Sequence, residues 1–184
     1  MNARLVLASG SPRRRELLEA AGITVVVDPA GTDETVAPGE TPVAYSQRVA
    51  AEKLAAVAGR HPGSDLLAAD TVVDLDGTVL GQPTDDADAR RMLMLLSGRS
   101  HLVHTAVVAR VGGESRSVTV TSSVTFRFLD PDRVGWYVAT GEPRGKAGGY
   151  AVQGLGMSLV AGLAGSFTNV VGLPVPQTRR LLGR

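Results

Sequence analysis

The feature that most limits the possible folds is a pair of long strand-like stretches around two glycines. HLVHTAVVARV (101–111) and SRSVTVTSSVTFRFL (115–129) are rich in β-branched residues, and Gly112 and Gly113 lie between them. Two such stretches around a glycine turn predict a β-hairpin with antiparallel strands. A sheet in this chain is therefore expected to contain a long antiparallel pair.

The beginning of the chain shows a different order of strand, turn and helix. RLVLAS (4–9) is a short apolar run typical of a buried strand, and SPRRRELLEAAG (11–22) follows as a helix that a glycine closes. The pattern continues with an apolar run in ITVVVDPA (23–30), a polar loop and a second helix over about 41–58. Helices that alternate with strands, together with hairpins, predict an α/β protein with a mixed sheet.

Turn and capping signals place the remaining elements. The sequence predicts a strand, an Asp-Gly turn and a return strand over 65–83, a helix over 84–96, a helix from Asp130-Pro131 to near Gly141, a strand over 157–162, and a last helix after Pro174. We expect Trp136 and Tyr137 to pack their helix against the core. No repeat, linker or low-complexity block appears, so we expect residues 1–184 to form one domain.

Composition narrows the classes of function. The 19 basic and 18 acidic residues give a net charge of +1, which supplies no general attraction to nucleic acid or to a membrane surface. The absence of cysteine excludes disulfides and thiolate metal sites. The first apolar run is too short for a signal peptide, and no run reaches the roughly 18 apolar residues of a membrane span. We expect a cytoplasmic protein.

Three consecutive arginines, Arg13 to Arg15, stand in the first turn of the first helix, behind Ser11 as N-cap and Pro12. A helix start already carries about half a positive charge, so each further cation there is unfavourable by about 0.3–1 kcal/mol. An anion would remove this mismatch, because a helix start after a small-residue turn binds phosphate and arginine adds paired donors. The pattern therefore favours an anion site, while arginines that simply point into solvent remain the alternative.

Asp70 places a charge inside an otherwise apolar strand, LLAADTVV. Burial of an unpaired carboxylate is costly, so Asp70 is expected to form a buried salt bridge, bind a metal or act as a general base. Glu34, in the polar loop before the second helix, is a possible second acidic ligand. Taken by itself, Glu34 is better explained as a solvated loop carboxylate.

A glycine-rich segment, GKAGGYAVQG (145–154), contains Lys146 and Gln153. Glycines let a backbone approach a ligand closely, lysine can pair with phosphate, and a glutamine amide can recognise the edge of a base. The alternative is a plain flexible loop. The chain has no GxxxxGK[ST] and no GxGxxG before a helix, so kinase, GTPase and ordinary dinucleotide-binding functions lose their main support.

Taken together, LASGSPRRRELL, EKL, AADTVV, SGRSHLVHTAVV, EPRGKAGGYAVQG and VVGLP resemble the Maf family of nucleoside triphosphate pyrophosphatases, once known as septum formation inhibitors. The resemblance covers nearly the whole chain. It implies an elongated fold like that of inosine triphosphate pyrophosphatase, with a central mixed sheet and a nucleotide cleft, usually in a homodimer. It also implies hydrolysis between the α and β phosphates with a divalent metal, Mg²⁺ or Mn²⁺, giving nucleoside monophosphate and pyrophosphate.

The resemblance also assigns roles to residues. It implies that Asp70 is the catalytic acid and that Asp70 and Glu34 hold the metal. The residues that it implies for substrate binding and specificity are Ser9, Arg13, Arg14, Lys53, Thr71, Lys146 and Gln153.

Three of these positions distinguish branches of the family. Arg13, Thr71 and Gln153 resemble the branch that hydrolyses dTTP and UTP, whereas the 7-methyl-GTP branch has Trp, Gln and Glu there. Modified pyrimidine nucleotides are further candidate substrates. The alternatives are a 7-methyl-GTP pyrophosphatase and a non-enzymatic regulator of cell division that binds nucleotide or nucleic acid.

Two residues depart from the family pattern. Gln82 stands where the family usually has lysine, and Gly145 stands where aspartate commonly precedes the lysine of the glycine-rich motif. The first change removes an expected phosphate contact. The sequence leaves open whether Arg90 or Arg91 replaces it.

Overall fold

A mixed sheet of seven strands forms the centre of the molecule, in a computed structural model that describes residues 5–184. The strands are β1 (Leu5–Leu7), β2 (Val25–Val27), β3 (Asp65–Leu75), β4 (Thr78–Leu80), β5 (Ser100–Val111), β6 (Glu114–Phe126) and β7 (Val160–Ala164). The helices are α1 (Pro12–Ala20), α2 (Pro42–Ala58), α3 (Asp86–Leu96), α4 (Pro131–Ala139), α5 (Phe167–Val171) and α6 (Val175–Leu181). Arg4, which the sequence places in the first strand, lies outside the described residues.

The expected hairpin is present and organises the sheet. β5 and β6 pair antiparallel along their whole length, from Ser100 with Thr125 to Val111 with Glu114. The strand order is β2-β1-β3-β5-β6-β7, in which β1 runs parallel to both β2 and β3 and the other pairs are antiparallel. The expectation of an α/β fold with a mixed sheet is confirmed.

One edge of β3 is only partly covered. β5 pairs with residues 66–74 along one edge, so β1 and β4 must share the other. On that second edge β1 pairs with residues 65–67 and β4 with residues 73–75. Residues 68–72 between them have no neighbouring strand there, which opens a gap in the sheet.

Helices cover both faces of the sheet. Leu54 and Val57 of α2 pack on one face against Leu66 and Ala68 of β3. Leu67 of β3 belongs to a separate core on the opposite face, together with residues of α1 and the end of α6. The alternation of side chains along a strand explains why neighbouring residues enter different cores. No helix in the described part of the chain is long and apolar enough to cross a membrane.

The structure corrects three details of the sequence interpretation. The strand expected over 157–162 begins only at Val160, because residues 155–159 form a 3-10 helix. Tyr137 is fully buried as expected, but the expectation for Trp136 is wrong, since its side chain is 49% exposed. Consecutive residues of a helix point about 100° apart, so the two rings face different surroundings. α5 was not expected, because five residues are too few to show helical periodicity.

A buried histidine couples the core to pH. His101 on β5 is enclosed by Phe126 and Tyr150, and its Nε2 lies 2.7 Å from the Tyr150 hydroxyl. Burial lowers the pKa of His101 from 6.5 to about 4, because the apolar surroundings disfavour the imidazolium.

We therefore expect acid to destabilise the fold through His101. Between pH 6.5 and 4 His101 is protonated in the unfolded chain but remains neutral in the folded chain. The contribution of neutral His101 to the free energy of unfolding is therefore fully present above pH 6.5 and is lost as the pH falls toward 4. The loss is on the order of 3 kcal/mol once pH drops below about 4. Urea unfolding of the wild type and of His101→Gln at pH 7 and pH 4.5 measures it. Equal pH dependence in both proteins would contradict this assignment.

Candidate active site

A cleft of about 570 Å³ opens at the uncovered edge of β3. It is bordered by the segment after β1, the segment after β4, the loop between β2 and α2 and the glycine-rich segment after α4. All of the candidate site residues from the sequence line it: Ser9, Arg13, Arg14, Glu34, Lys53, Asp70, Thr71, Lys146 and Gln153. Their roles remain predictions, but their convergence in one cleft is a property of the fold.

The three consecutive arginines have three different surroundings. Arg15 points outward and pairs with Glu19 at 2.9 Å. Arg13 lines the cleft, and its buried Nε has no hydrogen-bond partner among the described residues. Burial and the neighbouring charge of Arg14 lower the pKa of Arg13. Arg13 is therefore a cation whose surroundings favour the approach of an anion.

Arg14 is a structural connection between three segments. Its Nη1 donates to Ser9 Oγ at 2.9 Å, its Nη2 to Thr71 Oγ1 at 3.2 Å, and its Nε to the Gly172 carbonyl at 2.9 Å. Desolvation lowers the pKa of Arg14, while the negative charges of Asp70 and Glu34 oppose that shift. The hydrogen bonds use three of the five N–H donors of a guanidinium and leave two for a ligand.

Asp70 and Glu34 are joined by one lysine. Asp70 is only 4% exposed, and Lys53 from α2 reaches its Oδ1 at 2.8 Å. The same Nζ lies 2.7 Å from Glu34 Oε1. The partner that a buried carboxylate requires is thus present, and it brings the second carboxylate to the same place.

The loop that carries Glu34 is fixed to α2 by side chains that the sequence interpretation missed. The Tyr45 hydroxyl donates to the Glu34 carbonyl at 2.9 Å. Arg48 donates to the Thr35 carbonyl at 3.0 Å and pairs with Glu40 at 2.7 Å. This pairing lowers the pKa of Glu40 to about 2. The exposed loop is therefore held in place, although its polar sequence is typical of a mobile one.

The glycine-rich segment is folded by Glu142, which the sequence interpretation also missed. One carboxylate oxygen of Glu142 accepts from the Gly156 amide at 2.8 Å, and the other accepts from the Leu155 amide at 2.9 Å. The Tyr137 hydroxyl donates to Glu142 at 2.9 Å and accepts from the Ala151 amide at 3.1 Å. These bonds close the segment on itself around Lys146 and Gln153. Carboxylates that accept main-chain amides far along the chain leave no local sequence signal.

Contacts with the sheet also place this segment against the cleft. The Gly148 amide donates to the Gly81 carbonyl at 2.9 Å, just after β4. A side chain at Gly148 would come within 3.0 Å of Val73, so only glycine allows this approach. Burial and the charge of Arg13 lower the pKa of Lys146. Arg13 and Lys146 therefore form one cationic region. Gln153 also lines the cleft, and its side chain is exposed.

The two departures from the family pattern meet in space. A side chain built on Gly145 would begin 4.0 Å from Gln82 Oε1, and both residues line the cleft. The chain thus lacks the family's lysine and aspartate at neighbouring points of one wall. Arg91 pairs with Asp88, and neither Arg90 nor Arg91 is among the cleft residues described, so the structure offers no direct replacement.

The donor set of the cleft fits a hard divalent cation that is shared with a phosphate ligand. Asp70 Oδ2 and Glu34 Oε2 have no hydrogen-bond partner among residues 5–184, since Lys53 contacts only the other oxygens. Within the same residues no group of three or more His, Cys, Asp or Glu side chains could hold a metal by itself. Mg²⁺ is commonly bound in this way, by one or two carboxylates together with substrate phosphates and water.

Known proteins resemble this chain along nearly its whole length. The sequence model of the Maf-like protein family matches residues 4–184. A dTTP/UTP pyrophosphatase of Anaeromyxobacter sp. (strain Fw109-5) is 53% identical, covering 100% of this chain and 90% of the relative. The dTTP/UTP pyrophosphatase of Myxococcus xanthus (strain DK1622) is 51% identical, covering 98% and 91%. Among solved structures, the Staphylococcus aureus Ham1 protein shares the fold with a TM-score of 0.51 at 16% identity, covering 97% and 90%.

We expect Arg14 and Arg15 to differ sharply in their effect on stability. Arg14→Lys should lower the free energy of unfolding by about 2–4 kcal/mol, because a lysine cannot donate to all three of the separated acceptors. Arg15→Lys is the matched control and should change it by less than about 0.5 kcal/mol, as surface substitutions usually do. Urea unfolding compares the two variants. Equal effects would show that Arg14 does not hold the three segments together.

Proposed function

The chain belongs to the Maf family, and from this membership we propose that it is a nucleoside triphosphate pyrophosphatase that hydrolyses dTTP and UTP. The products would be the nucleoside monophosphate and pyrophosphate. The observation that carries the proposal is the arrangement of one cleft, in which paired carboxylates lie beside a separate group of cations. Curated relatives with this name match nearly the full length of the chain.

The cations suit the triphosphate. A nucleoside triphosphate carries close to four negative charges, and phosphoryl transfer is catalysed mainly by positioning and by stabilisation of charge. Desolvation disfavours the charged forms of Arg13 and Lys146 in the free protein, and the like charges of Arg14 on Arg13 and of Arg13 on Lys146 add to this cost. A bound phosphate chain relieves this cost. We assign them to the pyrophosphate that leaves, which requires neutralisation more than a proton.

The carboxylates suit the reacting phosphate. Asp70 and Glu34 would hold Mg²⁺ or Mn²⁺ through the oxygens that Lys53 leaves free. When bound, the metal neutralises phosphate charge and makes water more acidic. Asp70 of β3, which Lys53 holds in position, accepts the proton of the attacking water. Lys53 also keeps the two carboxylates close despite their like charge.

The remaining residues fit substrate recognition. Ser9 lies at the helix start that would receive a phosphate, and Thr71 and Gln153 also line the cleft. The apolar side chains of Val73 and Val103 supply a wall for a base. Membership of the family also supports a cytoplasmic homodimer as the working form. The near-neutral net charge of +1 supports the absence of a nucleic-acid or membrane partner.

A panel of nucleotides tests the proposed function. The purified protein is supplied with Mg²⁺ or Mn²⁺ and with dTTP, UTP or 7-methyl-GTP, and pyrophosphate and orthophosphate are measured separately. We expect dTTP and UTP to yield monophosphate and pyrophosphate at a much higher kcat/KM than 7-methyl-GTP. Orthophosphate as the first product would refute the pyrophosphatase activity. A preference for 7-methyl-GTP would refute only the branch, and binding without turnover would favour the non-enzymatic regulator.

Substitution of Asp70 tests the assigned base. Asp70→Asn should reduce kcat for dTTP by at least about 100-fold at every metal concentration, because asparagine keeps the shape but loses both the base and the charge. Asp74→Asn is the matched control on the same strand and the same face, where Asp74 contacts His104 and the Gly77 amide instead of the cleft. Near-normal turnover by a folded Asp70→Asn protein would assign Asp70 to a structural salt bridge.

A further inference from the structure

Glu34 belongs to a connecting segment without helix or strand. β2 ends at Val27 and α2 begins at Pro42, and residues 28–41 join them. The Glu34 side chain is 43% exposed and pairs with Lys53. A segment of this kind adopts many backbone conformations unless side chains from elsewhere hold it. The position of this proposed metal ligand therefore depends on what holds the connecting segment.

Arg48 of α2 holds the connecting segment through its guanidinium group. Its Nε and Nη2 donate to the two carboxylate oxygens of Glu40 at 2.7 and 2.8 Å, and Nη2 also donates to the Thr35 carbonyl at 3.0 Å. The Glu40 carboxylate in turn accepts from the Ala37 amide at 3.0 Å. One side chain thus fixes the main chain on the C-terminal side of Glu34.

Arg48 also contacts the tyrosine that holds Glu34 itself. Its Cζ lies 5.6 Å from the centre of the Tyr45 ring, within the range of a cation–π contact. The Tyr45 hydroxyl donates to the Glu34 carbonyl at 2.9 Å. Two consecutive carbonyls, those of Glu34 and Thr35, therefore accept from side chains one turn apart on α2. The peptide plane that follows Glu34 is fixed, which limits the directions that its carboxylate can take.

We propose that Arg48 is a positioning residue that sets the affinity of the cleft for a divalent cation by holding Glu34 where it shares Lys53 with Asp70. The inference rests on the proposed function, because it assumes that both carboxylates bind the metal together with the triphosphate. Arg48 is not among the described residues that line the cleft, so it acts through Glu34 and not on the ligand. When the segment is released, it occupies the binding conformation for only a fraction of the time, and the apparent affinity falls by that fraction.

The two acidic partners of Arg48 allow a matched comparison. Glu40 belongs to the connecting segment, and its side chain is 10% exposed. Glu52 belongs to α2, lies 3.2 Å from Arg48 and is 44% exposed. An ion pair within α2 does not restrain the connecting segment, and exposed pairs contribute little to stability. The same change from glutamate to glutamine can therefore be made on both sides of one guanidinium, with only one side tied to Glu34.

Calorimetric titration of a nucleotide that cannot be hydrolysed tests the inference without turnover. The probe is thymidine 5′-(α,β-imido)triphosphate, in which N–H replaces the oxygen between the α and β phosphates. It is titrated in saturating Mn²⁺ and in excess EDTA, and the ratio of the two affinities measures the contribution of the metal. Chelation of Mn²⁺ by the free nucleotide is the same for every variant and cancels in the comparison.

We expect the variants to divide according to their link with the connecting segment. Arg48→Lys and Glu40→Gln should reduce the wild-type ratio about tenfold, the low end for residues that orient metal ligands. Glu52→Gln should keep the ratio within about twofold, as a surface substitution usually does. The affinity in EDTA should stay within about twofold in all three variants, because the cations that bind phosphate are unchanged.

Several outcomes would overturn the inference. An unchanged ratio in Arg48→Lys and Glu40→Gln would show that Arg48 does not set metal affinity, and an equal loss in EDTA would show general damage to the cleft. A wild-type ratio near one would remove the metal from the site and leave pyrophosphate release as a separate question. No binding of the probe by the wild type would overturn the inference together with the proposed function.

Removal of the Glu34 carboxylate decides whether Arg48 acts through it. In the Glu34→Gln background, Arg48→Lys should change the ratio by less than about twofold, because there is no carboxylate left to position. Such a result is the non-additivity expected of two residues that act as one unit. A further loss of about tenfold in that background would show that Arg48 acts by another route and would overturn the inference.

Discussion

The architecture of the site depends on the buried guanidinium of Arg14. Its hydrogen bonds join the turn after β1, the middle of β3 and the end of α5, which are far apart in the sequence. A buried cation is costly unless its donors are used, so these acceptors and Arg14 require each other. The arrangement determines where Thr71 lies and places the positive end of α1 beside Asp70. The cleft therefore has its shape before a ligand binds. This reduces the entropy cost of ordering its side chains and loops on binding.

The interrupted edge of β3 explains why the cleft lies where it does. A continuous strand beside residues 68–72 would fill the space and pair the main chain, whereas β1 ends opposite Leu67 and β4 ends opposite Val73. The segments after both short strands then turn into the opening, and the glycine-rich segment closes over it. The same interruption brings side chains from both faces of the sheet to one place. The carboxylates with Lys53 come from the face covered by α2, and the apolar wall comes from the other.

The separation of charge in the cleft follows from this geometry. Lys53 neutralises part of the charge on Asp70 and Glu34 and leaves one oxygen of each accessible. Arg13 and Lys146 have no carboxylate within salt-bridge distance among the described residues, and each lies in surroundings that lower its pKa. A triphosphate with a divalent metal matches both regions at once. A simple anion would match only the cationic region of Arg13 and Lys146. The paired carboxylates therefore distinguish a metal-bound triphosphate from a simple anion.

The sequence by itself determined most of the strand and helix order, the long hairpin and the mixed sheet, because periodicity and turn residues are local signals. The charge at the start of the first helix is also a local signal, and it predicted an anion site there. It also predicted that Asp70 needs a partner. Only the tertiary structure decided which arginine serves which purpose: Arg13 faces the cleft, Arg14 joins three segments and Arg15 faces solvent. The role of Glu142 was likewise decided by long-range contacts. Such contacts depend on how the chain returns to itself, and neighbouring residues carry no record of that path.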